Sequence, residues 1–368
     1  MKILLLLPYG GLYGSEIYML NIVNRLDPAE YQVAVFCKSH SGKNIEKNPN
    51  IHWVNSGHNP ASFWHRAKNK IIRTLFGRSV DELRLLKLHK RFKPDIWYIN
   101  TIVLSEYALL AAHMDQKYIL QVHEMPSIYG IMKAEKFRKM VQGAEKVLVC
   151  SALLVDIFRK LGAASVHLLY GAIDSRITVQ EEERTRLRKL HGIPEGAFVW
   201  GMAGSTSYRK GFDLFARVAL HFKEQNVHFV WIGHIKDHGY EYYVKKLMAS
   251  NKEKIHLTGK KNRDEFFEYL NMIDGFFLSS REDPFPLVMI EAAYLGKPVL
   301  AFDSGGVREF VKEGCGYVTE GINLKEMIGH MEKVMRGSGI DREKIKNNAK
   351  KYNLDTQLKN WRSIMEAE

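Results

Sequence analysis

The strongest constraint in this sequence is an alternation of short, unbroken apolar runs with longer stretches of helical spacing. The first half offers Ile3–Leu7, Gln32–Phe36, Ile51–Val54, Ile96–Ile99, Tyr118–Val122, Val147–Cys150 and Val166–Leu169 as strands. Between the first two, Met19, Ile22, Val23 and Leu26 recur at the i, i+3, i+4, i+7 interval of one helix face, with Ser15 as a candidate N-cap. A strand that is apolar at every position is buried on both faces, and such strands joined through helices pair in parallel. The pattern then breaks. Asp174–Ala197 is highly charged and closes on Gly-Ile-Pro, which suggests a linker with a short helix. Strand candidates resume at Val199–Ala203, His228–Ile232, Ile255–Thr258, Gly275–Leu278, Val299–Phe302 and Tyr317–Val318. Helical patterns fall at Phe212–Glu224, Tyr240–Ala249, Asp264–Asn271 and Pro286–Gly296, then near Leu324–Arg336, Arg342–Lys351 and Leu354–Glu366. The expected fold class is α/β, with two doubly wound, Rossmann-like domains in tandem. At roughly 100–200 residues per domain, the length of 368 agrees with two. Ligands of such sheets bind beyond the carboxyl ends of the strands, at helix N-termini, and two such edges facing each other would form a cleft.

Composition narrows the class. The apolar content of 46% with 26% charged residues is that of a globular protein. Cys37, Cys150 and Cys315 are odd in number and far apart, which argues against a disulfide framework or a thiolate zinc site and for a reducing compartment. The run Ile3–Leu7 is shorter than the ~7–15 residues of a signal-peptide core, and no stretch approaches the ~20 apolar residues of a membrane span. A cytoplasmic protein is expected. The net charge of +13 suits nucleic acid, an anionic membrane or a phosphorylated small molecule. An RNA-binding aromatic pair, a Gly-x-x-Gly loop in context and a zinc site are all missing from the sequence, so a nucleic-acid partner is not expected.

Five stretches could carry chemistry. "PYGGLYGSE" (Pro8–Glu16) follows a strand and opens a helix. Its Gly10, Gly11 and Gly14 allow close backbone approach, but it is not the Gly-x-Gly-x-x-Gly of a nicotinamide site. "MAGSTSYRKGFDLF" (Met202–Phe215) repeats that arrangement and sets Arg209 and Lys210 just before a helix start. Cations there oppose the helix dipole unless an anion joins them, and Arg with Lys can grip a phosphate. It is not a Walker A loop. "SSREDPFPLVMIEAAYLGKPV" (Ser279–Val299) sets Glu282 and Asp283 before a helix that begins near Pro286, with Glu291 on its second turn. Acids at a helix entrance are ordinary; Glu291, inside the apolar run "LVMIEAA", is not. The N–H groups of Leu287 and Val288 would be open to an anion. "QVHEMPS" (Gln121–Ser127) ends a strand with His123 and Glu124, and a lone His is more often structural. "DSGGVREF" (Asp303–Phe310) has a glycine pair suited to close approach to a ligand.

In order, "GGLYGSE", "VHEMPS", "LLYGAID", "GSTSYRKGFDLF", "SSREDPFPLVMIEAAYLGKPVLAF" and "SGGVREFV" resemble the retaining glycosyltransferases of family 4, which have the GT-B fold. The resemblance covers essentially the whole chain and is most specific in the last two blocks. It implies an acceptor-binding domain at 1–173 and a nucleotide-sugar-binding domain at 174–352, with a helix near 353–368 packing back on the first. It implies transfer of a sugar, with retained configuration, from a nucleotide diphosphate-sugar, a UDP-sugar first among them. Arg209 and Lys210 would bind the diphosphate and stabilise its departure. Glu291 would hold the ribose. Asp283 would match the first acid of the family's E-x7-E motif and contact the donor sugar, as would His123. Leu287 and Val288 would lend N–H groups, and Gly14 would lie by the diphosphate. Gly204, Ser205, Glu282, Phe285 and Pro286 would complete the donor site. Three positions depart from the family pattern: Asp283 for Glu, Pro286 for Gly, and Ser205 for Arg. Which of Glu282 and Asp283 reaches the sugar stays open. The chain has no Asp-x-Asp pair, so neither a metal nor a cofactor is expected.

The acceptor would be a glycan or lipid-linked molecule of cell-surface polysaccharide assembly, and its binding residues are not identified. From His65 to Lys93 there are ten Lys/Arg and two acids, interleaved with Trp64, Ile71, Ile72, Leu75 and Phe76 and preceded by Phe63. Residues 63–93 could lie on an anionic membrane, or be a solvated helix with its apolar residues in the core. Other readings are a non-catalytic sugar-nucleotide-binding protein, a nucleotide-sugar epimerase of similar architecture and, less favoured, a basic nucleic-acid-binding protein. A monomer or weak dimer is expected.

Overall fold

The computed structural model describes residues 1–10, 14–39, 51–55, 62–174 and 177–367, the side chains of residues 53–55, 63, 65 and 66 excepted. The chain divides into two units, Met1–Gly171 with Gln357–Glu368, and Ala172–Thr356.

The first unit is built on β1 (Lys2–Leu7), β2 (Gln32–Cys37), β3 (Ile51–Asn55), β4 (Ile96–Ile99), β5 (Tyr118–Val122), β6 (Lys146–Val149) and β7 (Val166–Leu168). Among the described residues these form one parallel sheet in the order β3-β2-β1-β4-β5-β6-β7. The run at the N-terminus is thus a central strand: Leu5 sits opposite Val35 on one side and Tyr98 on the other, and is fully buried. The helices are α1 (Gly14–Val23), α2 (Phe63–Phe76), α3 (Val80–Phe92), α4 (Ser105–His113), α5 (Ala134–Gln142) and α6 (Ala152–Lys160). Ser15, expected as an N-cap, instead lies inside α1.

The second unit holds β8 (Phe198–Ala203), β9 (Val227–Ile232), β10 (Ile255–Leu257), β11 (Gly275–Leu278), β12 (Val299–Phe302) and β13 (Gly316–Thr319), parallel in the order β10-β9-β8-β11-β12-β13. Its helices are α7 (Glu181–Leu190), α8 (Phe212–His221), α9 (Gly239–Met248), α10 (Arg263–Met272), α11 (Leu287–Tyr294), α12 (Val307–Phe310), α13 (Leu324–Met335) and α14 (Arg342–Lys350). Phe215 of α8 meets Phe229, Trp231 and Phe277 on the sheet, with ring centroids 5.5, 5.2 and 6.0 Å away. Buried aromatic contacts of this kind fix a helix on its sheet.

Two expectations need correction. The charged segment before β8 is more than a linker. Its helix α7 docks on α10 through Arg184 and Arg188, which share Asp274 at 2.6 and 2.7 Å. The same guanidiniums cover the carbonyls of Asn271, Met272 and Ile273 at 2.5–3.1 Å, satisfying acceptors that a helix end leaves open. Pro286 is the N-cap of α11 rather than its first helical residue, with ψ of 121°.

The last helix, α15 (Leu354–Glu366), places its later turns in the first unit. Trp361 is fully buried there and donates to the Tyr98 hydroxyl at 3.3 Å. Lys146 donates to the carbonyl of Ile364 at 2.8 Å and to that of Ala367, a cation at the negative end of the helix dipole.

Candidate functional site

In the second sheet the strand order reverses between β8 and β11. In doubly wound sheets the ligand crevice opens at such a point. The loops leaving these two strands are Gly204–Gly211 and Ser279–Pro286. They touch because of Gly211, which caps α8 with φ of 68°. A Cβ there would stand 1.9 Å from the carbonyl oxygen of Ser279, so both the backbone angle and the space demand glycine. Hydrogen bonds to main-chain carbonyls join the loops, among them Ser279 Oγ to the Lys210 carbonyl at 2.9 Å and Arg281 N to the Arg209 carbonyl at 2.8 Å.

This junction gathers Arg209, Lys210 and Asp283. Lys210 Nζ is hydrogen-bonded to Asp283 Oδ2, and Arg209 Nη1 lies 3.8 Å from the same oxygen. Ser280 Oγ donates to it at 3.4 Å. The Asp283 side chain is 9% exposed and that of Lys210 14%, whereas Arg209 is 44% exposed. Of the two neighbouring acids, Asp283 thus turns its carboxylate to the cations, while Glu282 offers Arg209 its backbone carbonyl at 2.8 Å. The glycine pair Gly305–Gly306 holds this loop from the other side. Asp283 N donates to the Ser304 carbonyl at 2.7 Å and Gly306 N to the Pro284 carbonyl at 2.8 Å. A Cβ on Gly305 would meet the Asp283 carbonyl at 2.5 Å. The close approach expected for "DSGGVREF" is therefore made here by the chain's own backbone.

Behind the junction lies a second ion pair. Arg281 binds Asp213 through both carboxylate oxygens at 2.7 Å and lies 3.8 Å over the Tyr208 ring. Tyr240 donates to Asp213 at 2.6 Å. Burial alone would push the Asp213 carboxyl up, but the hydrogen bonds from Arg281 and Tyr240 outweigh it and hold the carboxyl below its ordinary value. Thr206, fully buried, donates to Glu241 at 3.0 Å and accepts from Lys236 N at 3.0 Å, which fixes the middle of the first loop. Gly204 follows the last residue of β8, and Ser205 beyond it is exposed.

Glu291 lies on the second turn of α11, 4% exposed. Its Oε1 is 2.5 Å from Nη1 of Arg263, the first residue of α10, whose guanidinium stacks 4.4 Å over the Phe267 ring. Burial pushes the Glu291 carboxyl up, and the Arg263 charge works against that shift. Arg263 was not singled out in the sequence. The signal was present: it is a cation at the start of a helix, the argument that marks Arg209 and Lys210. Leu287 and Val288 open α11, where N–H groups precede their intrahelical partners. Phe285 is 5% exposed and packs its ring on Tyr352 and Phe310, with centroids 5.3 and 6.4 Å away.

The first unit has its own reversal, between β1 and β4. Gly14 opens α1 there; Gly11, Leu12 and Tyr13 lie outside the described residues. Glu16, 1% exposed, accepts from the N–H groups of Tyr9 at 2.7 Å and Gly10 at 3.2 Å. Asn100, after β4, donates to the Ser15 carbonyl at 3.3 Å and turns its oxygen to His123 Nε2 at 3.1 Å. This network assigns the Nε2–H tautomer to neutral His123 and leaves Nδ1 an acceptor. Burial pushes the imidazole down to about 4. Glu124 accepts from the Thr101 hydroxyl and from His123 N. Among the described residues, no cluster of three or more His, Cys, Asp or Glu is placed to hold a metal ion.

Two family models match the chain. "Glycosyltransferase Family 4" covers residues 13–177 and "Glycosyl transferases group 1" covers residues 183–352. The chain belongs to the GT4-like glycosyltransferases. Among its curated relatives, the alpha-galactosylglucosyldiacylglycerol synthase of Streptococcus pneumoniae is 28% identical over 193 residues, 51% of this chain and 50% of that protein. The chain thus spans half the length of that relative. The lipopolysaccharide 1,2-N-acetylglucosaminetransferase of Salmonella typhimurium is 25% identical over 289 residues, 71% of this chain and 75% of that protein. Among solved structures, Anabaena Alr3699/HepE in complex with UDP-glucose superposes with a TM-score of 0.80 at 19% identity, over 99% of each chain. With its two parallel-sheet units, this GT4-like chain has the α/β GT-B fold.

Proposed function

We propose that this GT4-like chain is a retaining, metal-independent glycosyltransferase that moves a sugar from a nucleotide diphosphate-sugar, a UDP-sugar foremost, to a glycan or lipid-linked acceptor in cell-surface polysaccharide assembly at the cytoplasmic side. The observation that carries it is the convergence of Arg209, Lys210 and Asp283 where the second sheet reverses. Residues 174–352 would take the donor and residues 1–173 the acceptor. The curated relatives support a glycan setting: one is named for a diacylglycerol glycolipid and another for lipopolysaccharide.

In this reading the donor diphosphate displaces the Asp283 carboxylate from the two cations. Arg209 offers a fork of N–H donors and Lys210 a point charge. The Leu287 and Val288 N–H groups add the dipole of α11. The bond between the anomeric carbon and the phosphate oxygen breaks, and the electron pair stays on that oxygen. Arg209 and Lys210 stabilise the developing charge. The acceptor oxygen bonds to the anomeric carbon from the same face, and its proton passes to the departing phosphate. Freed from Lys210, Asp283 accepts from donor-sugar hydroxyls, and Glu291 from the ribose. The Nδ1 acceptor of His123 would take a sugar hydroxyl. The leaving-group charge is assigned to side chains rather than to a divalent cation because the sequence has no Asp-x-Asp pair.

A thermal-shift panel of UDP-, GDP-, ADP- and dTDP-sugars tests the reading. One base series should raise Tm, and Lys210→Ala should abolish the shift. No stabilisation by any of the four would sink it. Binding without sugar release to any acceptor would leave a non-catalytic nucleotide-sugar binder.

A further inference from the structure

The basic segment of the first unit holds a helix whose apolar face is turned outward. Along α2, Trp64, Ile71, Leu75 and Phe76 are 80%, 60%, 70% and 64% exposed. At about 100° per residue, Trp64, Ile71 and Leu75 fall within about 40° of one another, with Lys68 at the margin of the stripe. Away from the stripe, Asn69 Oδ1 accepts from Val80 N at 2.9 Å, which ties α2 to the first residue of α3. Gly77, left-handed at φ of 65°, ends α2 by donating to the Arg73 carbonyl at 2.9 Å. In α3 the pattern is the ordinary one, with Leu85, Leu88 and Phe92 buried. Trp64, Ile71, Leu75 and Phe76 are therefore not core residues, and the alternative that placed them in the core is corrected for those four.

We infer that α2 is a membrane-contact helix that lies in the interface of an anionic bilayer, with Trp64, Ile71 and Leu75 inserted among the lipids, Lys68 at the headgroups, and Lys70 and Arg73 adding positive charge from the sides turned to water. Charge identifies the occupant. The fourteen residues of α2 contain four Lys or Arg and not one acid, so the helix as a whole repels a basic surface and attracts a negative one. An aromatic–aliphatic stripe on an acid-free basic helix, with Lys68 at the stripe's margin, is the composition of a helix that rests in a lipid interface, and Trp is the residue that favours that depth. Nucleic acid would engage the cations but leave Ile71 and Leu75 in water. A second copy of this chain would set like charges face to face, since the chain carries +13. At fourteen residues, against the ~20 needed to span, α2 can lie on a bilayer but not cross it. No helix among the described residues is long and apolar enough to cross a membrane. The inference stands apart from the transferase reading, since vesicle binding needs no donor.

Vesicle flotation of the full chain tests it, with phosphatidylcholine vesicles against vesicles that also contain phosphatidylglycerol. The chain should float with the anionic vesicles and lose them as salt is raised. Loss of one cation should weaken binding roughly five-fold; the combined change Lys68→Glu, Lys70→Glu and Arg73→Glu should weaken it roughly a hundred-fold or more. These side chains are exposed, so folding should be kept, and an unchanged Tm checks that. A Leu75→Cys variant labelled with a polarity-sensitive dye gives the site-specific reading, since Cys37, Cys150 and Cys315 are buried. Its emission should shift to the blue only with anionic vesicles. Equal binding to both vesicle types, no binding, or an unshifted dye would each overturn the inference. So would a concentration-dependent dimer broken by Leu75→Ser, which would give the stripe to a second copy.

Discussion

Lys210 and Asp283 stand 73 residues apart in sequence and share one hydrogen bond, the ammonium of one loop on the carboxylate of the next. Their strands make this possible: β8 and β11 are neighbours in the sheet, so their exit loops must be neighbours too. The pair sets a polar network in a place where neither charge is well solvated. Removing one partner of such a pair leaves the other unpaired and costs about 3–5 kcal/mol when it is buried.

Lys210→Met should therefore lower stability, toward the lower end of that range because the Lys210 side chain is still 14% exposed. Pairing it with Asp283→Asn should recover most of the loss and none of the donor binding. Chemical denaturation of the two variants checks the first half, and calorimetry with the stabilising nucleotide checks the second. A double variant that bound donor normally would take the phosphate role away from Lys210.

Gly211→Ala should damage the site without touching a polar group. The new Cβ meets the Ser279 carbonyl at 1.9 Å, and φ of 68° is strained for alanine. The loops must part, and Lys210 must leave Asp283. The expected outcome is a stability loss of about 2 kcal/mol or more, with a loss of donor-induced stabilisation. Gly239→Ala is the control, since a Cβ there has nothing within 4 Å.

Much of this was legible in the sequence, for a physical reason. A strand buried on both faces is a continuous apolar run, so the central strands of both sheets stand out as such, and every strand among the described residues falls at an expected run, with ends that differ by one or two residues. Charged residues before a helix start, as at Arg209 and Lys210, stand out because the dipole disfavours them. What could not be read is whatever depends on strand order. Nothing local says that Lys210 meets Asp283, that Arg263 reaches Glu291 from another helix, or that Arg281 is committed to Asp213. Glu16 was hidden for a different cause. An acid in the first turn of a helix is ordinary, and only the coordinates show it buried against the N–H groups of Tyr9 and Gly10. The charged linker misled because salt bridges from Arg184 and Arg188 look, in sequence, like solvated charge.

His123 gives a pH prediction with a definite sign. Burial lowers its folded value to about 4 from an ordinary value of 6.5. The unfolded chain takes up this proton first. His123 therefore leaves stability unaffected above about pH 6.5 and reduces it as pH falls from there toward 4, by at most about 3 kcal/mol. His256, also lowered to about 4 by burial and by the charges of His228 and His191, acts in the same direction. The imidazole signals of His123 should stay those of the neutral Nε2–H form at pH 6 in an NMR titration. Asn100→Asp sets a carboxylate beside Nε2, 3.1 Å away in the parent, and should raise the titration toward or above its ordinary value. An unmodified His123 that titrated near 6.5 would refute the burial argument.

Glu291 and Arg263 give the sharpest test of nucleotide recognition. Oε1 of Glu291 is held at 2.5 Å by a guanidinium that is itself half-exposed and braced on Phe267. If this carboxylate takes the ribose hydroxyls, Glu291→Gln should weaken the ribonucleotide far more than its 2′-deoxy, 3′-deoxy analogue, because only the former loses a charged acceptor. Hydrogen bonds to a charged group contribute about 1.5–3 kcal/mol, roughly ten- to a hundred-fold in Kd. Arg263→Met should act through position instead. It leaves Glu291 in place but unbraced and without its opposing charge, so its carboxyl should move further up. Affinity for the ribonucleotide should then fall more steeply with falling pH than it does in the parent. Isothermal titration with both nucleotides at pH 8 and pH 6 separates the two roles. A ribonucleotide and a dideoxy analogue weakened equally by Glu291→Gln would show that Glu291 supports α11 rather than reading the ribose.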